Sequence, residues 1–168
     1  AHLDYFELPE DAFRSRGKML YVVVADRKLI DKRVAWVESL GLEPVCIDIP
    51  EIALLNLVED ICDSEAGTAV LYLDAEQSLI NILSSGALYL TRTLACNPVT
   101  AIENTVLDLQ RSMDYFESQI GKPPCIRILV MPLQVGETPL MMELRHNLGA
   151  DVQSLDLGEV VTSVEPLN

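Results

Sequence analysis

The 168 residues carry 26 Asp and Glu against 12 Lys and Arg, a net charge of −14, and 49% of them are apolar. That length and apolar fraction suit one large domain or two small lobes with a sizeable core, while the charge repels nucleic-acid phosphates and anionic lipid. The longest apolar run, residues 19–25, is about a third of the roughly 20 residues a membrane-spanning helix needs, and no signal-peptide hydrophobic region stands out, so a soluble chain without direct membrane insertion or nucleic-acid binding is expected.

In chain order, a strand is predicted over residues 3–8, then a polar turn ending in Arg16-Gly17-Lys18, then a strand over 19–25. Asp26 has the chemistry of an N-cap, and the following helix carries Ile30, Val34 and Val37 on one stripe with Leu29, Trp36 and Leu40 on its flank. Trp36, at the margin of that stripe, suits either a core position or an interface anchor. Gly41 stands where a C′ glycine belongs. Residues 45–49 read as a buried strand, and Pro50 pre-sets the first turn of a helix bearing Ile52, Leu55, Val58 and Ile61. Residues 1–66 thus read β-β-α-β-α, a partial first lobe.

Residues 68–94 hold three short apolar runs, 68–73, 78–83 and 87–94, parted by a polar patch (Asp74, Glu76, Gln77) and by Ser84-Ser85-Gly86. Such spacing predicts a three-strand antiparallel meander. Pro98 and the box Thr100-x-x-Glu103 mark the start of a long helix, whose face reads Val99, Ile102, Val106, Leu109, Met113, Phe116 and Ile120. Arg111 and Tyr115 lie off that face and read as surface. A strand over 126–131, a helix from Thr138-Pro139 to Leu148 closed by Gly149, and a strand over 152–155 complete the order βββαβαβ for residues 67–168. That order suits the ribonuclease-H-like unit which actin-type ATPases use twice, so the expected class is α/β, ribonuclease-H-like or actin-like ATPase fold. The turn from Asp74 to Ser78 then stands where a phosphate loop would.

The spacings of Cys46, Cys62, Cys96 and Cys125 match no zinc or redox pattern, and three of them sit in or beside apolar runs, which predicts buried free thiols rather than disulfides and a reducing, cytoplasmic setting. His2 and His146 are the only histidines, and His146 falls in the last turn of a predicted helix, where positive charge suits the dipole. No metal cluster and no Cys–His dyad can be drawn from these residues.

Four stretches carry a family resemblance: VVVADRKLIDKRVAWVESLGLEPVCIDIPEIALLNL (22–57), the meander with Gly86 and Thr91-Arg92, LQRSMDYFESQ (109–119), and IRILVMPLQV with LMMELRHNLGADV (126–152). Together they resemble the PilM-like, actin-fold proteins that assemble type IV pili on the cytoplasmic face of the bacterial inner membrane, over most of residues 18–155. Within that family the chain is most similar to members serving the mannose-sensitive haemagglutinin (MSHA) pilus. The resemblance implies an earlier phosphate loop ahead of the segment present here, so the chain is expected to be a fragment. It also places Tyr72 at the Asp position and Asp74 at the Gly position of the family's Asp-x-Gly-x-x-x-Thr loop, with Ser78 keeping the hydroxyl. Glycine there lets backbone N–H groups approach phosphate, whereas Asp74 sets a carboxylate against phosphate charge. The family's adenosine-side Gly-Gly turn reads Met131-Pro132-Leu133.

These departures imply a non-enzymatic scaffold of the pilus assembly platform, peripheral to the inner membrane, with no catalytic residue, cofactor or metal. Its implied partner is the cytoplasmic part of a PilN-like inner-membrane assembly protein, with the assembly motor ATPase as a second candidate. One alternative is an ATP-binding switch, in which Ser78 holds phosphate and Asp74 turns away or binds through magnesium. Another is a ribonuclease-H-type nuclease with Asp74 and Glu103 as metal-binding acids, opposed by the acidic charge and by the lack of a carboxylate at the end of strand 126–131. In the simplest reading Asp74, Glu76 and Gln77 form a solvated hairpin turn, Ser78 starts a strand, and the acidic excess is solvated surface.

Overall fold

A computed structural model of the protein describes residues 1–13, 17–62, 64–74, 78–94, 97 and 100–160. The chain opens with an antiparallel ribbon of β1 (His2–Glu7) and β2 (Leu20–Ala25). Its register sets Leu3 against Val24, Tyr5 against Val22 and Glu7 against Leu20. One face of the ribbon therefore presents Leu3, Tyr5, Leu20, Val22 and Val24, all exposed, while the other stacks Phe6 on Tyr21 with ring centroids 4.9 Å apart.

Asp26 caps α1 (Arg27–Ser39) by accepting from the Lys28 N–H at 2.8 Å, and Gly41 follows the helix at φ 76°. The stripe Ile30, Val34 and Val37 is half-buried, and Trp36 is 60% exposed, which removes it from the core. The strand expected over 45–49 does not form: Val45 is 98% and Ile47 52% exposed, and no described strand pairs with them. A strand's backbone groups need a neighbouring edge, and β-propensity supplies none. The Cys46 thiol in this segment is accordingly exposed rather than buried, whereas Cys62 and Cys125 are buried as expected and Cys96 lies outside the described residues.

Pro50 occupies the first turn of α2 (Pro50–Val58), which runs into a 3₁₀ turn, Glu59–Ile61, and buries Leu54 and Val58. The meander follows as β3 (Gly67–Tyr72), β4 (Leu79–Ser84) and β5 (Ala87–Thr93). Ser85 and Gly86, at φ 50° and 71°, supply the two positive dihedrals of a tight hairpin turn.

Next comes α3 (Ile102–Tyr115), continued by a π-type turn over Phe116–Ile120 and ended by Gly121 at φ 84°. Its face is the expected one, but the capping box does not form. Ala101 takes the N-cap, and the Thr100 hydroxyl donates back to the Asn97 carbonyl at 3.4 Å. Pro98 and Val99 lie outside the described residues. Then come β6 (Cys125–Met131), α4 (Pro139–Asn147) capped by Thr138, β7 (Asp151–Ser154), and a short helix absent from the sequence reading, α5 (Leu157–Val160). The order βββαβαβ holds from β3 to β7.

These five strands form one sheet in the order β5-β4-β3-β6-β7, parallel at β3–β6 and β6–β7 and antiparallel elsewhere. Period-two alternation gives it two buried faces. Ala69, Leu71, Ile80, Ile82, Ile128 and Val130 meet α3 and α4, while Val70, Leu79, Leu83, Leu129 and Met131 meet α2. The segment after β1 reaches the first of these cores through Leu8 and Ala12.

Candidate docking cleft at the strand ends

The parallel pair β3 and β6 brings Tyr72 level with Met131, so both strands end at one edge of the sheet. Just beyond, the Leu73 N–H donates to the Met131 carbonyl at 2.7 Å. Strand order also reverses at β3, with β4 and β5 laid down on one side and β6 and β7 on the other, and ligands of open α/β sheets bind beyond the carboxyl ends of strands at such points. Here α2 overhangs that edge and leaves a cleft of about 420 Å³.

The walls are Pro50, Glu51, Ala53, Leu54 and Leu57 of α2, the strand residues Tyr72, Leu79 and Met131, and Asp74, Pro132 and Leu157 around them. Neither glycine nor Lys, Arg or His is among these residues; the charges they contribute are the Glu51 and Asp74 carboxylates. Burial, with the Glu51 charge beside it, pushes the Tyr21 hydroxyl above its ordinary pKa of 10.0.

Asp74, the sequence-predicted phosphate-loop residue, lies exposed on this cleft. Ser78 does not: it is 1% exposed, its hydroxyl accepting from the Asp74 N–H at 2.9 Å and donating to the Asp74 carbonyl at 3.0 Å. Those bonds tie Ser78 to the Asp74 backbone. Glu76 and Gln77 lie outside the described residues. Met131 and Pro132 complete the apolar wall.

Glu103, the second acid of the nuclease alternative, lines a separate groove with Val106, Leu107, Glu143 and Asn147 of α3 and α4, whereas Asp74 lines the cleft beside α2. The two acids therefore line different pockets, one beside α2 and one between α3 and α4. Among the described residues no group of three or more His, Cys, Asp or Glu could hold a metal ion. Arg111 and Tyr115 are exposed on α3.

Sequence reasoning missed Leu54, Leu57, Leu79 and Leu157 as cleft residues. A signal existed for the first two: PEIALLNLV is apolar almost all round, so α2 has apolar side chains beyond those needed for one buried face.

No protein-family model and no curated protein matches the chain. Among solved structures it is similar to a chain of a PilM-PilN type IV pilus biogenesis complex, at 18% identity and TM-score 0.72, over 95% of this chain and 57% of that one. It is also similar to a Bacteroides thetaiotaomicron VPI-5482 protein of actin-like ATPase fold and unknown function, at 10% identity and TM-score 0.58, over 96% of this chain and 55% of that one. The chain therefore has an actin-like ATPase fold, and it spans a little over half the length of either neighbour.

Proposed function

We propose that this chain belongs to a non-enzymatic scaffold of a type IV pilus assembly platform, which docks the cytoplasmic part of a PilN-like inner-membrane protein. The observation that carries the reading is the cleft. At the strand ends, where the PilM-like resemblance puts phosphate and adenosine loops, this chain has an apolar hollow with two carboxylates and a serine hydroxyl engaged in its own turn. Phosphate finds neither cation nor glycine backbone among the described lining residues, which supports protein recognition as the chemistry of the cleft.

The likeness to a chain of the PilM-PilN complex supports the kind of partner. The stretches quoted above favour the MSHA-type pilus, with an MshI-like role, and the assembly motor ATPase as a second partner. No helix among the described residues is long and apolar enough to cross a membrane, which suits a protein held at the cytoplasmic face through its partner.

Co-expression with the PilN-like protein of the same genome tests the reading. A defined complex by size-exclusion chromatography with light scattering is expected, together with an unchanged melting temperature at millimolar ATP and magnesium. A clear rise in melting temperature that Asp74→Gly alters would establish the ATP-binding switch instead, since a ligand at a hundred times its Kd adds about 2.7 kcal/mol.

A further inference from the structure

We infer that a buried water is built into the contact between α2 and the sheet, bridging the side-chain oxygen of Asn81 on β4 to the Thr91 hydroxyl on β5. Asn81 Oδ1 and Thr91 Oγ1 are both buried, and neither has a hydrogen-bond partner among the described residues. Asn81 is itself fully buried, and the register places it directly opposite Thr91. Cross-strand partners share a face of the sheet, so the two oxygens belong to one place. Leu79 and Leu83, two positions to either side of Asn81, lie in the largely apolar core that α2 covers. An unpartnered polar atom in such surroundings gives up its hydration without a replacement bond.

The amide cannot solve this by turning over. Its Nδ2 donates to the Glu51 carbonyl at 2.8 Å, and the flipped amide would set Oδ1 against that carbonyl, which can only accept. As the side chains stand, Thr91 does not bond to Oδ1 directly. Cβ atoms of cross-strand partners lie about 4.5–5.5 Å apart, a span that one water closes by donating to Oδ1 and accepting from the Thr91 hydroxyl. Water matches both atoms, whereas two neutral oxygens offer an ion neither charge nor enough ligands. The bridge also has a consequence for the cleft. No side chain caps the start of α2, and the Asn81 bond to Glu51 anchors its first turn. With the water in place that anchor reaches from β4 to β5, and two strands hold the cleft wall.

The test is a crystal structure of the full chain, at a resolution that shows ordered water, together with urea unfolding of Thr91 variants. Density for one water within about 2.6–3.2 Å of both oxygens is expected, lost in Thr91→Val and kept in Thr91→Ser. The unfolding midpoint should fall in Thr91→Val and recover in Thr91→Ser, because the serine keeps the hydroxyl and the valine keeps only the shape. In an Asn81→Leu background the loss caused by Thr91→Val should shrink, since the shared bridge is already gone. Should Asn81→Leu fail to fold, the wild-type density and the two Thr91 variants decide. A direct bond between Thr91 and Asn81 with no water, no density between the two oxygens, or a Thr91→Val midpoint equal to or above wild type overturns the bridge.

Discussion

The side-chain amide of Asn81, fully buried on β4, donates to the backbone carbonyl of Glu51 in the first turn of α2 at 2.8 Å. This bond ties the overhanging helix to the sheet at the cleft wall. Asn81→Ala removes the donor and is expected to cost about 1–3 kcal/mol, with an unchanged denaturant slope because the same surface is exposed on unfolding. A urea titration of variant against wild type measures it, and equal midpoints would show that α2 is held by apolar contacts alone.

Gly67 opens β3 beside Cys125 of β6 and Phe116 of the π-type turn that follows α3. A Cβ there would lie 2.6 Å from the Cys125 Sγ and 2.7 Å from Phe116 Cε1. Phe116 is fully buried, so neither neighbour yields freely, and Gly67→Ala is expected to destabilise by about 1–3 kcal/mol through overpacking. Thermal unfolding of the single variant checks this, and a melting temperature equal to or above wild type contradicts it.

Lys122 Nζ lies 2.5 Å from Asp11 Oδ2 and 4.7 Å from the Tyr89 ring centroid, and the Tyr89 hydroxyl donates to Asp11 Oδ1 at 2.8 Å. Lys122 holds the Asp11 carboxyl below its ordinary 3.8, and Asp11 holds the Lys122 ammonium above its ordinary 10.5. The carboxylate's contribution is full above its unfolded pKa and is lost as pH falls through the lowered folded value. The ammonium's is full below 10.5 and is lost as pH rises through the raised one. Asp11 is largely exposed, so the pair contributes about 1 kcal/mol or less. Asp11→Asn should lower the melting temperature at neutral pH, with the gap closing as pH falls below 3.8. Parallel profiles down to acid pH would remove the ion pair from the stability of the fold.

Thiol reactivity should follow burial. Burial, with the Glu117 charge adding, pushes the Cys125 thiol up to about 12, so it stays protonated at neutral pH, and Cys62 is equally enclosed, whereas Cys46 is exposed. In a Cys96→Ser background, one thiol is expected to react rapidly with Ellman's reagent in the folded protein and the other two only in denaturant. Rapid reaction of more than one would contradict the described burial.

The sequence by itself determined what local stereochemistry and periodicity control. Asp26, Pro50 and Thr138 start their helices, Gly86 and Gly121 take positive dihedrals, and the two periods lay out βββαβαβ before any contact is known. That the turn at Asp74 and the segment Met131-Pro132 carry no glycine at those positions was equally legible, since it is a matter of residue identity. The tertiary structure decided whatever depends on a distant partner. Residues 45–49 have strand composition but no described edge to pair with, Trp36 ends exposed, and Thr100 bonds back to Asn97 instead of capping. The candidate site is of the same kind. Asp74 belongs to a cleft because α2 lies over the strand ends, and Glu103 lines a different pocket, between α3 and α4. A helix satisfies its backbone within itself, whereas a strand and a cleft are completed by residues far away in the chain, which no local pattern specifies.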